Sequence, residues 1–174
     1  MKRLLLAGSI GLLATMAFVR AEYPLPIPHA NVLPLALSDD FEFRKFDIFR
    51  NAPLRPGATP QPTRELAILF ERKRRVWGAI DSVEVHQHTG QYFTFYWRAK
   101  RQADLTLRLE YRQAELKNYV QGRELYYPAA RGSYESEFAI VGDDYSRDGP
   151  ITSWRAILIE NNTIVALLQS RIWQ

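Results

Sequence analysis

Hydrophobic and polar positions alternate most regularly between Gln91 and Arg112. Phe93, Phe95, Trp97 and Ala99 hold one parity; Tyr92, Thr94, Tyr96 and Arg98 hold the other. Further on, Leu105, Leu107, Leu109 and Tyr111 alternate with Thr106, Arg108, Glu110 and Arg112. Successive strand side chains point to opposite faces, so this period predicts two strands, joined by a tight connection near Arg101-Gln102. The flanking segments carry the same signal. Trp77 to Val85 reads as a strand with Gly78 as a bend, and His88-Thr89-Gly90 as a turn. After a short polar connection at Ala114 to Asn118, Tyr119 to Tyr127 is a strand closed by Pro128. Arg131-Gly132 then turns into Ser133 to Val141, and Gly142 to Pro150 reads as a loop. Ile151 to Glu160 and Thr163 to Trp173 form a hairpin around Asn161-Asn162, since Asn tolerates the positive φ of a type I′ turn.

Seven strands with this punctuation predict an all-β, antiparallel two-sheet β-sandwich of immunoglobulin or fibronectin type III kind, with a barrel as the alternative. Upstream the pattern is less regular. Phe41 to Phe49 is a strand whose apolar parity switches after Phe43, which predicts a bulge near Arg44-Lys45. Asn51 to Pro62 is a Pro- and Gly-rich loop. Thr63 to Arg75 fits two readings. As a helix, Thr63 caps it and Leu66, Leu69, Phe70 and Lys73 share a face; as a strand, LAILF is a short buried run. The β-rich sequence downstream tips the expectation toward a strand.

Composition adds a direction of travel. Lys2 and Arg3 precede an uncharged, mostly apolar run from Leu4 to Val19, and Ala21 closes a small-residue cleavage site, which is the pattern of a secretory signal peptide. The run is short for a membrane span, although a retained anchor is the alternative. The expected organisation is therefore a signal peptide over 1–21, a Pro-rich arm over 22–62 and a β-domain over 63–174. Eight of the ten prolines fall between Pro24 and Pro62, which favours extended backbone in the arm. Lys2, Arg3 and Arg20 are three of the 23 basic residues, so the mature chain carries 20 basic against 19 acidic. The pI near 9.4 then belongs partly to the leader, and net charge gives no support for nucleic-acid binding. The absence of Cys excludes disulfides, thiol nucleophiles and cysteine metal sites.

Candidate chemistry is sparse. Asp143, Asp144 and Asp148 lie in one short segment and offer hard oxygens for calcium, though not at EF-hand spacing; Asp and Gly beside Pro150 also make ordinary turns. His86 and His88 share a face if they sit on a strand, which suits zinc or copper given a third ligand; the remaining histidine is His29. Glu135 and Glu137 alternate as a solvent-facing pair, and Glu110 between Arg108 and Arg112 reads as cross-strand charge pairing. No nucleophile elbow, phosphate loop or dinucleotide motif is present. Tyr92, Tyr96 and Arg98, with Trp154, make the best candidate binding surface, because aromatic and Arg side chains anchor interfaces; burial of that face under the N-terminal arm is the plainer alternative. The expectation is an exported, non-catalytic interaction module of the bacterial envelope or periplasm, with another exported protein as partner and no resident cofactor. A glycan-binding module with an aromatic platform and loop calcium is the alternative, followed by a small metal-dependent hydrolase. Exposure of the aromatic row and the approach of His86 to Asp143 separate the three.

Overall fold

A computed structural model describes residues 24–27, 30–51 and 66–173. The leader over 1–21, His29 and the loop and cap expected over 52–65 lie outside the described residues. In chain order the elements are β1 (Leu25–Ile27), β2 (Phe41–Asn51), α1 (Leu66–Arg75), α2 (Ser82–Gln87), β3 (Gly90–Gln113), β4 (Gln121–Val141), α3 (Asp143–Asp148), β5 (Ile151–Glu160) and β6 (Thr163–Gln169). The chain is mostly antiparallel β-structure, as its alternation predicts.

The strands form one sheet, not two separately bonded ones. Its order is β1-β4-β3-β5-β6, with β2 also paired to β3. The expected hairpin near Arg101-Gln102 is absent. Residues 90–113 are one continuous strand, and both of its halves pair with β4, from Gly90↔Val141 through Tyr111↔Gln121. The physical reason is in the connection. Lys100-Arg101-Gln102 has no Gly or Asn to supply the positive φ of a two-residue turn, so the backbone stays extended. The ladder shifts register at Ala99/Ala103 and Ala103/Leu105, and opposite it Ala129 and Gly132 take φ of 48° and 101°. Pro128 sits at this irregularity, where its missing N–H costs no ladder bond. The hairpin therefore bends at its middle. With β4 along one edge of β3, β2 and β5 share the other, β2 along 90–99 and β5 along 106–113.

The bend folds the sheet onto itself. Trp154 pairs with Tyr111, yet its ring lies 5.9 Å from Phe93 and 5.5 Å from Phe95. A straight strand would separate positions 93 and 111 by about 60 Å. One core results, with Phe93, Phe95, Trp97, Phe138, Leu105, Leu107 and Leu109 fully buried across both halves. The expected bulge in β2 occurs between Phe43 and Lys45, and it keeps Phe43 and Phe46 on the core side, against Phe95 and Trp154. Gly90, at φ 152°, begins β3 between β2 and β4; a Cβ there would stand 2.1 Å from the Ile140 carbonyl oxygen. Inside the core, Trp97 Nε1 donates to Ser136 Oγ at 2.8 Å, and Tyr127 Oη meets the same hydroxyl at 2.6 Å.

Three local expectations are corrected. The 66–75 segment is helical, not a strand. Ser82–Gln87 is helical where a strand was expected over 77–85, because Asp81 caps it by accepting from Val83 N and Glu84 N, each at 2.9 Å, while Glu84 reaches back to Ile80 N. The expected loop over 142–150 contains α3. The Asn161-Asn162 turn forms as expected, with φ of 47° and 59°.

The outer face of the β5 half holds a buried ionic chain. Glu110 is fully buried and accepts from Arg155 Nε at 2.6 Å, its cross-strand neighbour, and from Arg108 at 3.4 Å; Arg108 also bonds Glu124. The segment 30–38 covers the neighbouring surface, with Leu33 against Ile157, Ile159 and Ile164, and Ala36 and Ser38 bonded to β6. Removing one partner of such a pair strands the other's charge. Glu110→Gln is expected to lower unfolding stability by about 3 kcal/mol, measured by urea denaturation followed by tryptophan fluorescence.

Candidate functional site

A concavity lies on the outer face of the other half-sheet. Register places three cross-strand rows there: Lys45, Tyr96 and Glu135; Asp47, Thr94 and Glu137; Phe49, Tyr92 and Ala139. Helix α1 crosses over these rows. Among the described residues, Arg75 supplies its side-chain hydrogen bonds to the sheet. Arg75 lays its guanidinium 4.0 Å from the Tyr92 ring centroid, bonds Glu71 Oε1 at 2.7 Å and grips Glu137 with both terminal nitrogens. Only a tenth of the Arg75 side chain is exposed. Burial pulls its pKa down, but the hydrogen bonds from Glu137 and Glu71 outweigh this and raise it above the ordinary arginine range. Glu71 also takes a two-pronged contact from Arg74 at 2.9 and 2.7 Å. The hydrogen bond from Arg74, aided by Arg75 and opposed by partial burial, holds the Glu71 carboxyl down at about 2.

Between α1 and the sheet remains a cleft of about 400 Å³. Phe49, Ala67 and Ile68 supply its apolar lining, Thr94 and Tyr96 its floor, and Asp47, Glu71, Glu135 and Glu137 its carboxylates. Those acids are not equivalent. Glu71 and Glu137 are held by Arg75, and Asp47 pairs with Lys45 at 2.7 Å. Glu135 meets Tyr96 Oη at 3.4 Å and forms no ion pair among the described residues. The Lys45 ammonium also sits over the Tyr96 ring, 5.2 Å from its centroid. The cleft therefore offers one uncommitted carboxylate, a phenol and an apolar wall, a combination suited to a side chain with an alkyl stem and a cationic tip.

The sequence-predicted binding row is only partly open. Tyr92 is buried, with Arg75 of α1 over its ring and Phe49 of the arm's strand beside it. Trp154 is also buried, as part of the core with Phe46, Phe93 and Phe95, because β5 folds it back across the sheet. Tyr96 is half-buried at the cleft and Arg98 is exposed. The flat aromatic platform expected for a glycan is thus not assembled from these four residues.

The three aspartates of α3 turn to different partners. Asp143 Oδ1 lies 3.1 Å from His86 Nε2, Asp144 Oδ2 accepts from Arg123 at 2.7 Å, and Asp148 Oδ1 accepts from Arg147 at 2.9 Å. Among the described residues, no three His, Asp or Glu side chains are grouped to hold a metal ion. His86 and His88 do not share a face, since on a helical backbone positions two apart point about 200° around the axis. Ser146 Oγ joins His86 Nε2 at 3.2 Å, so Ser, His and Asp do meet. Both oxygens address the same ring nitrogen, however, whereas a proton relay needs acid and serine on opposite nitrogens. This cluster arises from the contact of two short helices, α2 and α3; the approach of His86 to Asp143 is the one the sequence raised, and Ser146 is the member it missed.

Arg75 itself was not singled out from sequence. Its signal was the Glu71 spacing to Arg74 and Arg75, the i,i+3 and i,i+4 pattern of a helix. No apolar side chain of α1 is fully buried, and Arg75 is its most enclosed ion-pairing residue. Arg75→Met is expected to raise trypsin cleavage after Arg72, Lys73 and Arg74 about tenfold, equivalent to about 1.4 kcal/mol of local opening, with little change in the global urea midpoint. The depressed Glu71 carboxyl adds a pH signature. Its contribution is complete above the ordinary carboxylate value near 4.5 and is lost as pH falls through about 2. Amide shifts of Leu69 to Arg75 are therefore expected to stay constant from pH 7 to about 4 and move toward pH 2, and Glu71→Gln is expected to abolish that step.

No protein-family model, curated protein or solved structure matches this chain.

Proposed function

We propose that this protein is an exported, non-catalytic interaction module, its folded sheet serving as the rigid sandwich-like frame and its α1 cleft receiving a segment of another envelope or periplasmic protein. The observation that carries this reading is the Glu135–Tyr96 end of the cleft. It combines a carboxylate without an ion pair among the described residues, a half-buried phenol and apolar walls on a stiff three-stranded platform. Such a pocket fits a Lys or Arg side chain of a partner segment, with the aliphatic stem against Phe49 and Ile68 and the charge at Glu135. Export rests on the basic, apolar and small-residue pattern of residues 1–21. A glycan-binding role has less support, because Tyr96 lacks a coplanar exposed companion in Tyr92 or Trp154. The hydrolase reading keeps one supporting observation, the His86, Asp143 and Ser146 contacts, and would require the imidazole to rotate so that serine and carboxylate address different nitrogens.

The test is site-specific photo-crosslinking in intact cells. A benzophenone amino acid at position 96 is expected to capture an exported protein, and Glu135→Lys to reduce that adduct at least fivefold. The same probe at Tyr126, exposed on the other half-sheet, is expected to give none. Equal capture from both positions, or none from position 96, would count against the cleft.

A further inference from the structure

The side of α1 that faces away from the cleft carries a second, independent feature. Leu66, Phe70 and Trp77 are 80%, 68% and 87% exposed, and Ile80 is 92% exposed. Leu66, Phe70, Lys73 and Trp77 follow the i, i+4, i+7, i+11 spacing of one helical stripe, and the Val76 and Trp77 amides extend the winding by bonding Arg72 and Arg74 carbonyls. Single exposed apolar residues are ordinary; three large ones along one stripe, with Ile80 exposed just beyond it, are not. The inward positions are already used, since Arg75 and Glu71 hold the helix to the sheet.

The charge on this stripe selects its partner. The last turn of α1 is Arg72, Lys73, Arg74 and Arg75, with Glu71 the helix's one acid, and Glu71 is turned toward Arg74 and Arg75. Arg74 and Arg75 are paired with Glu71 and Glu137 toward the cleft, which leaves Arg72 and Lys73 as the cations of this helix without an ion pair among the described residues, Lys73 within the apolar stripe itself. Asp81 and Glu84 beyond it are occupied in capping α2. Trp and Phe flanked by Lys and Arg, on a short amphipathic helix, is the chemistry of an interfacial lipid contact, in which rings enter the headgroup boundary and cations meet anionic lipid. A ten-residue helix is about 15 Å long, half the hydrocarbon thickness, so it lies on a bilayer and does not cross it.

The geometry points to the outward face of α1 and the turn that follows, with Leu66, Phe70, Lys73, Trp77 and Ile80, as a docking surface for an anionic membrane. The cleft lies on the opposite side of the same helix, so this surface works whether or not the cleft holds a protein.

The test uses the full chain with vesicles of phosphatidylcholine containing 30% phosphatidylglycerol, and reads the emission attributable to Trp77 by subtracting the Trp77→Phe protein. This readout reports α1 alone, even where the N-terminal apolar run inserts. Trp77 emission is expected to shift to the blue and to be quenched by brominated lipid. Lys73→Glu is expected to weaken the effect at least fivefold, and 0.5 M salt to weaken it similarly. Far-UV circular dichroism and the urea midpoint of that variant confirm that it is folded. Absence of Trp77 quenching in the wild type, or equal quenching in pure phosphatidylcholine, would overturn the proposal.

Discussion

Everything in this fold depends on keeping one long hairpin paired while it bends back on itself. Strands β3 and β4 run past each other for some twenty residues, and a buried backbone donor without a partner is costly. The chain meets this constraint by confining the irregularity to one place. Ala99 to Leu105 on one strand and Pro128 to Gly132 on the other give up regular pairing together. Arg101, bonded to Asp40 and Glu160 at that corner, ties the bend to β2's start and β5's end. On either side the ladder is regular, so two half-sheets close over a shared aromatic core.

Folding a sheet in half leaves two outer faces, and both are handled by arginine and carboxylate. On the β5 half, Glu110 is wholly buried between Arg155 and Arg108, with segment 30–38 laid over the adjacent apolar rows. On the β2 half, Arg75 descends from a helix onto Tyr92 and Glu137. In each case a planar guanidinium satisfies several acceptors at once and covers an aromatic or aliphatic surface with its flat face. The difference is in the cover. Segment 30–38 adds backbone bonds to β6, whereas α1 is fixed chiefly through side chains, so a cleft persists beneath it and an apolar stripe remains above it. Both proposed contacts follow from that partial cover.

The single-sheet arrangement also explains why the expected binding row closed up. Tyr92 and Trp154 fall on different strands and different faces, and each is reached by an element distant in sequence. Trp154 enters the core because the bend carries β5 over Phe93 and Phe95. Tyr92 is capped because α1 precedes β3 by a connection just long enough to turn back across it. Only Tyr96 and Arg98, beyond the reach of α1's last turn, retain access to solvent.

Alternation in Phe93 to Ala99, Leu105 to Tyr111 and Ser133 to Val141 was sufficient by itself to establish β-structure and the core face, because a period of two leaves few other ways to bury those side chains. The parity switch after Phe43 located the β2 bulge, and the paired asparagines located the last turn, since both are local backbone requirements. What alternation cannot encode is whether two such runs are separate strands or one bent strand, for pairing depends on a partner elsewhere in the chain. Nor could it assign Leu66 to Arg75 or Ser82 to Gln87, where short apolar runs fit either period and only the Asp81 cap and the Arg75 contacts decide for helix. Strand identity and core parity were thus properties of the sequence; the fold-back, the buried fate of Trp154 and the cleft under α1 were decided by tertiary packing, because each requires residues far apart in the chain to meet.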